Sequence, residues 1–150
     1  MSDQPILKSF SELSVEDLYK ILHLRNEVFI IEQNCIYSDT DFKDQHCHHL
    51  MFFNASNLMA YARIVPPGIS FKEASIGRVI THSGARGTGL GKILMRTALD
   101  ECRKIYGNVP VRIGAQCYAT NFYSALGFVE SGQEYVEDGI PHIEMVVSGK

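Results

Sequence analysis

A glycine-rich stretch in the middle of the chain, "GARGTGLGK" at residues 84–92, has the composition of an anion-binding loop. It contains four glycines, two basic residues and no acidic residue. A strand-like segment precedes it and a helix-like segment follows it. A glycine-rich loop that opens a helix presents free main-chain N–H groups and the positive end of the helix dipole. The stretch therefore predicts a phosphate or pyrophosphate site.

Three phosphate-binding patterns compete for this stretch. A P-loop needs a hydroxyl residue after its Gly-Lys pair, but Ile93 follows Lys92, and Arg86 stands where the first glycine should be. A dinucleotide fingerprint needs G-x-G-x-x-G after the first strand of a βαβ unit, whereas the spacing here is G-x-G-x-G. The third pattern, Arg/Gln-x-x-Gly-x-Gly/Ala, is matched by Arg86, Gly89 and Gly91 without a gap. It favours a pyrophosphate, although a purely structural turn at the start of a helix is the alternative.

A second motif, "QCYATNFYSALGF", lies about thirty residues further on, at 116–128. Its skeleton is an amide at Gln116, an alanine, the pair Phe122-Tyr123 and a final Gly-Phe. Together with the glycine loop, it resembles the GCN5-related N-acetyltransferase (GNAT) superfamily. The segments "LRNEVFIIEQNCIYSDTD" (24–41) and "EYVEDGIPHIEM" (134–145) are similar to the ElaA branch of that superfamily. The resemblance covers nearly all of residues 6–147.

The resemblance implies acetyl-CoA as co-substrate and one GNAT domain over residues 1–150. The thioester carbonyl would lie against main-chain N–H groups of the strand before the loop, and the pyrophosphate against the loop itself. Gln116 replaces the usual asparagine, which keeps an amide but changes its reach. The residues expected to bind acetyl-CoA are Val79, Ile80, Thr81, Arg86, Gly87, Thr88, Gly89, Leu90, Gly91, Lys92, Gln116 and Phe122.

Acetyl transfer to an amine needs an acid for the departing thiolate and a neutral acceptor amine. Tyr123 occupies the family's tyrosine position and is the expected general acid, since a phenol can protonate a thiolate; a core aromatic role is the alternative. Glu32, at the end of the first helix, and His142, after the last turn, are the two candidate bases. Imidazole suits a base at neutral pH. A water chain could replace both of them.

The periodicity predicts a mixed α/β fold in which helices flank a twisted, mostly antiparallel sheet of six or seven strands. Strands are expected at 6–10, 48–54, 58–65, 74–81 and 111–116, and in a final hairpin around Asp138-Gly139. Helices are expected from the Ser14 N-cap onward, after the glycine loop with Ile93 on its apolar face, and at 119–128.

Composition restricts the class of protein. The net charge of −3 argues against a general nucleic-acid binder, and no apolar run is long enough for a membrane-spanning helix. The N-terminus has no secretory pattern and the four cysteines form no CxxC pair, so we expect a cytoplasmic protein with free thiols.

Two further clusters of polar residues carry weaker signals. The "HCHH" stretch at 46–49 is expected to be a polar lead-in to a strand rather than a metal site. Asp39, Asp41 and Asp44 are expected either to attract a cationic acceptor or to form a solvated acidic loop.

These observations predict an N-acetyltransferase that acts by direct attack of a small-molecule or peptide amine in a ternary complex. No partnership with nucleic acid, a membrane or a metal is expected. The resemblance makes a homodimer plausible. The alternative is a sensor module that binds acyl-CoA without catalysis.

Overall fold

The computed structural model describes residues 4–149 of the chain. This part contains seven strands and three α-helices, joined by loops and short turns. In chain order they are β1 (Ile6–Ser9), α1 (Val15–Arg25), β2 (His48–Asn54), β3 (Asn57–Val65), β4 (Ser75–Thr81), α2 (Leu90–Tyr106), β5 (Val111–Gln116), α3 (Thr120–Ser124), β6 (Val129–Glu137) and β7 (Ile140–Val147). A π-helical turn, Asn26–Glu32, continues α1. No helix in this part of the chain is long and apolar enough to cross a bilayer.

The strands form two antiparallel sheets, which refines the expected sheet of six or seven strands. The first has the order β1-β2-β3-β4 and the second β5-β7-β6. A single parallel bridge between Ala74 and Val111 joins them, where the Arg112 N–H donates to the Ala74 carbonyl at 3.0 Å. Beyond this bridge β4 and β5 form no further ladder, so the edge of β4 that faces β5 is open over most of its length.

Local signals account for most of the element boundaries. The Ser14 hydroxyl accepts a hydrogen bond from the Asp17 N–H at 3.0 Å, as its N-cap position predicts. Asp138 and Gly139 both have positive φ, which suits the predicted tight turn between β6 and β7. The predicted helix at 119–128 is shorter, because a 3₁₀ turn, Cys117–Ala119, replaces its start and α3 ends at Ser124.

Helix α2 covers one face of both sheets and α1 covers the other face of the first sheet. The buried stripe of α2 consists of Leu90, Leu94, Met95, Ala98, Leu99 and Cys102. Ile93 was expected on this stripe, but it is 53% exposed, because at 100° per residue it falls outside the buried half of the helix. The second, smaller core joins α1 to β2, β3 and β4 through side chains that include Ile21, Tyr61 and Ile80.

A buried network of arginines and aspartates ties the segment after α1 to the first sheet. Arg25 has no exposed surface; its Nε donates to Asp39 Oδ2 and its Nη1 to Asp44 Oδ1, both at 2.8 Å. Arg63 of β3 binds Asp44 at 2.8 Å and also pairs with Asp41. Both expectations for these acidic residues, an acceptor site and a solvated loop, are therefore wrong. The sequence pattern could not reveal their arginine partners, which lie 14 to 39 residues away.

The same network extends into the stretch that was expected to be a polar lead-in to β2. His49 is buried; its Nδ1 lies 2.7 Å from the Tyr61 hydroxyl and its Nε2 lies 2.9 Å from the Asp44 carbonyl. Since a carbonyl can only accept, Nε2 carries the proton and Nδ1 accepts from Tyr61. Cys47 is buried as well. His46 and Cys47 lead into β2 as expected, whereas His48 and His49 already belong to the strand. Among residues 4–149 no three His, Cys, Asp or Glu side chains converge as metal ligands.

We predict that Asp44→Asn lowers the free energy of unfolding by about 3 kcal/mol or more, since it leaves two buried guanidinium groups with less compensating charge. Urea unfolding followed by circular dichroism measures the change. Asp100→Asn, which removes a carboxylate from the exposed side of α2, is the matched control and should cost less than about 0.5 kcal/mol.

Acid should weaken the same network. Burial disfavours the Asp44 carboxylate, but the hydrogen bonds and charges of Arg25 and Arg63 outweigh burial and lower its pKa, and Arg63 likewise lowers the pKa of Asp41. Their contribution is complete above the unfolded pKa of about 3.9 and is lost as pH falls below it. The acid slope of unfolding free energy should therefore be shallower in Asp44→Asn. A wild-type slope in that variant would contradict this role of Asp44.

Candidate active site

A cavity of about 360 Å³ opens at the N-terminal end of α2. Its walls come from the end of β4, from the glycine loop and first turn of α2, and from α3. The lining residues are Thr81, Ala85, Arg86, Gly87, Gly89, Leu90, Gly91, Lys92 and Phe122. All of them except Ala85 were expected from the sequence to bind the co-substrate. The fold thus brings most of the predicted binding residues to one place.

The loop owes its shape to two glycines with left-handed backbone angles. Gly87 has φ +80° and Gly89, the N-cap of α2, has φ +85°, which side chains with a Cβ rarely adopt. The Thr88 hydroxyl donates to the Ala85 carbonyl and closes the turn. The first N–H groups of an α-helix have no partner within the helix, and the first turn of α2 contains no acidic residue. The cavity therefore presents main-chain donors and a positive helix end, which suits a phosphate.

Arg86 and Glu32 form an ion pair at the rim of this cavity. Arg86 Nη2 donates to Glu32 Oε1 at 2.6 Å and to the Thr81 carbonyl at 3.2 Å. The Glu32 side chain is one-third exposed and that of Arg86 is 46% exposed, so a ligand can reach both. A predicted base and a predicted anion-binding residue thus contact each other, an arrangement that their separation of 54 residues does not indicate.

Gln116 contacts a partner that sequence reasoning missed. The side-chain amides of Gln116 and Gln33 face each other with reciprocal N···O distances of 3.3 and 3.4 Å. Two residues further along, the Cys35 thiol donates to the Asp138 carbonyl at 3.2 Å. Residues 32–35 therefore reach from the glycine loop to the second sheet. The only sequence signal for Gln33 was its position in the segment that resembles the ElaA branch.

Tyr123 lies beside the cavity rather than in its lining. Its ring packs edge-on against Phe122 at 5.1 Å and against Phe128 at 5.9 Å between centroids. Burial, with a smaller contribution from Tyr118, raises the pKa of Tyr123 to about 12. The phenol is therefore protonated throughout the physiological range and can serve as a hydrogen-bond or proton donor.

His142 lies on the second sheet, opposite Gln116 in the β5–β7 register and opposite Tyr135 in the β6–β7 register. It is 8% exposed, and its Nδ1 lies 2.7 Å from the Ile140 carbonyl. Since that carbonyl can only accept, Nδ1 carries a proton and the lone pair of the neutral ring is on Nε2. Glu137 Oε2 lies 3.7 Å from Nε2. The neutral ring is thus fixed in one tautomer, with Nε2 on the side of Glu137.

Tyr135 stacks on the His142 ring, with centroids 5.6 Å apart and planes inclined by 25°. Its hydroxyl crosses β5 so closely that a Cβ at Gly114 would lie 2.8 Å from it. Glycine at position 114 is therefore required for this contact. Burial and the nearby carboxylates of Glu137 and Glu144 raise the pKa of Tyr135. The sequence motifs did not single out Tyr135 as a site residue.

The three residues of β4 that were predicted to bind the co-substrate have different surroundings. The side chain of Ile80 is buried in the smaller core beneath α1, and that of Val79 packs against the larger core beneath α2. Thr81 lines the cavity. Ile80 could therefore contact a ligand beside β4 only through its main chain. Thr88 contributes its hydroxyl to the turn and does not line the cavity.

Comparisons with known proteins point to one family. A family profile described as an acetyltransferase (GNAT) domain matches residues 7–148. The protein ElaA of Escherichia coli is 42% identical over 137 residues, covering 90% of each chain. The crystal structure of Escherichia coli ElaA superposes with a TM-score of 0.91 at 39% identity, over 97% of this chain and 99% of that one. An acyl-CoA N-acyltransferase from Pseudomonas aeruginosa gives a TM-score of 0.92 at 38% identity, with the same coverage.

We predict that Glu32→Gln strengthens the binding of CoA by about two- to fivefold, because it removes the carboxylate that competes with phosphate for Arg86. The size follows from the value of an exposed ion pair, at most about 1 kcal/mol. Isothermal titration calorimetry measures the dissociation constant. Arg86→Gln should weaken binding, and Glu16→Gln, an exposed change of the same charge on α1, should leave it unaltered. Weaker binding in Glu32→Gln would show that Glu32 supports the anion site rather than competing with it.

Proposed function

The chain belongs to the acetyltransferase (GNAT) family, and we propose that it is an N-acetyltransferase that moves an acetyl group from acetyl-CoA to a primary amine. The observation that carries this proposal is the cavity at the start of α2, which lies at the end of the open edge of β4. A phosphate at the loop and a thioester beside that edge would both find main-chain donors. We propose a cytoplasmic enzyme whose acceptor is a small-molecule or peptide amine.

The donor would be bound mainly through main-chain groups. The N–H groups around Gly87, Gly89 and the first turn of α2 suit the pyrophosphate, and Arg86 and Lys92 add full positive charges. The amide pair of Gln116 and Gln33 lies further along the gap between the sheets and offers both donors and acceptors to the amide-containing arm of the coenzyme. The longer side chain of glutamine, held by Gln33, could compensate for the asparagine that most members carry.

The reaction proceeds by direct attack in a ternary complex. The acceptor ammonium first loses a proton to a base, and the free amine then attacks the thioester carbon. A C–N bond forms while the carbonyl π electrons move to oxygen, where main-chain N–H groups of Val79 to Thr81 stabilise the negative charge. Collapse of this intermediate breaks the C–S bond, and the nitrogen gives up its second proton, which replaces the proton that Tyr123 supplies to the departing sulfur. The products are the acetylated amine and CoA, with no acyl-enzyme.

Tyr123 acts as the acid for the departing thiolate. Its pKa of about 12 exceeds that of a thiol by about 3 to 4 units, so a phenolate would not persist beside the newly formed thiol. The phenol would therefore act first as a hydrogen-bond donor to sulfur, and the transfer of its proton would be coupled to its recovery of the proton that the acceptor nitrogen gives up.

His142 is the better supported of the two bases. Its tautomer leaves Nε2 free to accept a proton, and Glu137 can stabilise the resulting cation. Glu32 is engaged by Arg86 in the absence of ligand. It would be available as a base only after a pyrophosphate has displaced it, so it is the second candidate.

A thiol-release assay with acetyl-CoA and a panel of amines tests the function directly. Amine-dependent release of CoA, with the acetylated amine identified by mass spectrometry, is the expected result. The alternative function is an acyl-CoA sensor. Tight binding of acetyl-CoA with slow release and no turnover of any amine in the panel would favour that alternative.

We predict that Tyr123→Phe lowers kcat by about 100-fold or more, the usual effect of losing a general acid, and changes the dissociation constant of acetyl-CoA by less than about threefold. Steady-state kinetics and calorimetry separate the two quantities. Tyr19→Phe, which removes an exposed phenol on α1, is the control and should retain wild-type kcat. An unchanged kcat in Tyr123→Phe would remove the assignment.

We predict that His142→Gln removes the decline of kcat/KM on the acid side of the pH–rate profile and lowers its plateau by about 100-fold. Glu32→Gln should retain that decline, because its carboxylate is not the group that takes the proton. The reverse result, with the decline lost only in Glu32→Gln, would assign the base to Glu32. If both variants keep the wild-type profile, neither residue is the base.

A further inference from the structure

Strand β4 contains a bulge at Arg78 and Val79. Tyr61 pairs with Ile80 and Arg63 pairs with Gly77, so the single residue between them on β3 faces two residues on β4. The extra residue of a bulge is left out of the ladder. On the other side, β5 meets β4 only at the Ala74 bridge. Arg78 and Val79 therefore have no one-to-one partner on β3, and no ladder with β5 covers them.

The bulge holds Arg78 in a strained conformation. Its φ is +51°, and among residues 4–149 the other non-glycine residues with positive φ all lie in turns or bends. Such a conformation costs on the order of 1 to 3 kcal/mol and persists only where the surroundings impose it. The strain therefore requires a source of restraint close to Arg78.

The side chain of Arg78 supplies that restraint. Its Nε donates to Asp39 Oδ1 at 2.8 Å and its Nη2 to the Asp39 carbonyl at 2.9 Å. The guanidinium also lies 5.9 Å from the ring centroids of Phe29 and Tyr37, within range of a cation–π contact. The Tyr37 hydroxyl donates to the same Asp39 oxygen at 3.0 Å. Asp39 is in turn held by the fully buried Arg25.

We propose that Arg78 is a positioning residue that holds the β4 bulge so that the Val79 N–H is directed at the thioester carbonyl oxygen. This inference rests on the proposed function, because it concerns the oxyanion donors of that reaction. Arg78 touches neither substrate; it acts through its own backbone, which its clamp on Asp39 keeps in the strained form. The segment that carries Tyr37 and Asp39 thereby sets the geometry of the main-chain donor.

The variant Arg78→Gly distinguishes this proposal from the alternative, in which the strand ladder alone maintains the bulge. Glycine tolerates a positive φ, so a bulge held by the ladder would remain in place or gain stability. If the side chain is the restraint, the bulge relaxes and the donor moves. The binding of the CoA moiety should stay within about twofold, since the glycine loop is untouched. Turnover should fall by about 10- to 100-fold, somewhat less than for complete loss of an oxyanion donor.

The decisive measurement is the carbonyl stretch of acetyl-CoA labelled with ¹³C at the thioester carbon, bound to the full chain and recorded by isotope-edited infrared spectroscopy. Binding to the wild type should lower the stretching frequency, and Arg78→Gly should lose at least half of that shift. Ala55→Gly is the matched control, because Ala55 also has a positive φ, of 55°, but lies in the β2–β3 turn. It should keep the full shift.

The outcomes are distinct. A full shift and wild-type turnover in Arg78→Gly would overturn the proposal while leaving the proposed function intact. Failure of the wild type to bind acetyl-CoA would instead overturn the proposed function. If Arg78→Gly does not fold, Tyr37→Phe decides, because it removes one hydrogen bond to Asp39 and should lose part of the shift. An undiminished shift in that variant would count against the clamp.

Discussion

The neutralisation of Arg25 inside the protein is the constraint on which the rest of the site depends. A guanidinium with no exposed surface must be matched by carboxylates, and here Asp39 and Asp44 meet it from the segment after α1. Arg63 and Arg78 join the same carboxylates from β3 and β4. Charge pairing thus fixes the end of α1, the segment after it and two strands of the first sheet relative to one another. The segment after α1 has little regular structure of its own, and these buried ion pairs hold it in a defined position.

The second constraint is the limited contact between the two sheets. They share a single bridge at Ala74 and Val111, and their other junctions come from side chains and from α2 packing across both. A continuous ladder would have consumed the main-chain donors of β4 and closed the gap between the sheets. Residues 32–35 cross this space and connect Arg86 on one side to Gln116 and Asp138 on the other. Residues 32–35 therefore connect the glycine loop to the second sheet across the gap between the sheets.

Much of the fold and part of the site could be predicted from the sequence, because those features are encoded locally. A serine cap begins α1, an Asp-Gly pair turns β6 into β7, and left-handed glycines shape the loop before α2. Features that depend on contacts distant in sequence could not be predicted. Three such contacts pair Asp39 with Arg25, Gln116 with Gln33, and Glu32 with Arg86. The two residues of each pair lie between 14 and 83 positions apart in the sequence. Backbone strain at an arginine has no sequence signature, because its cause is the surrounding structure.

The segment between α1 and β2 has an evolutionary consequence. Its residues Asp39 and Asp44 are buried, whereas Ile36 and Phe42 are 98% and 82% exposed. Because neither side chain contributes to the internal ion pairs, these two positions can mutate at little cost to folding. Lineages could therefore change the chemistry of this surface while the ion pairs beneath it are retained.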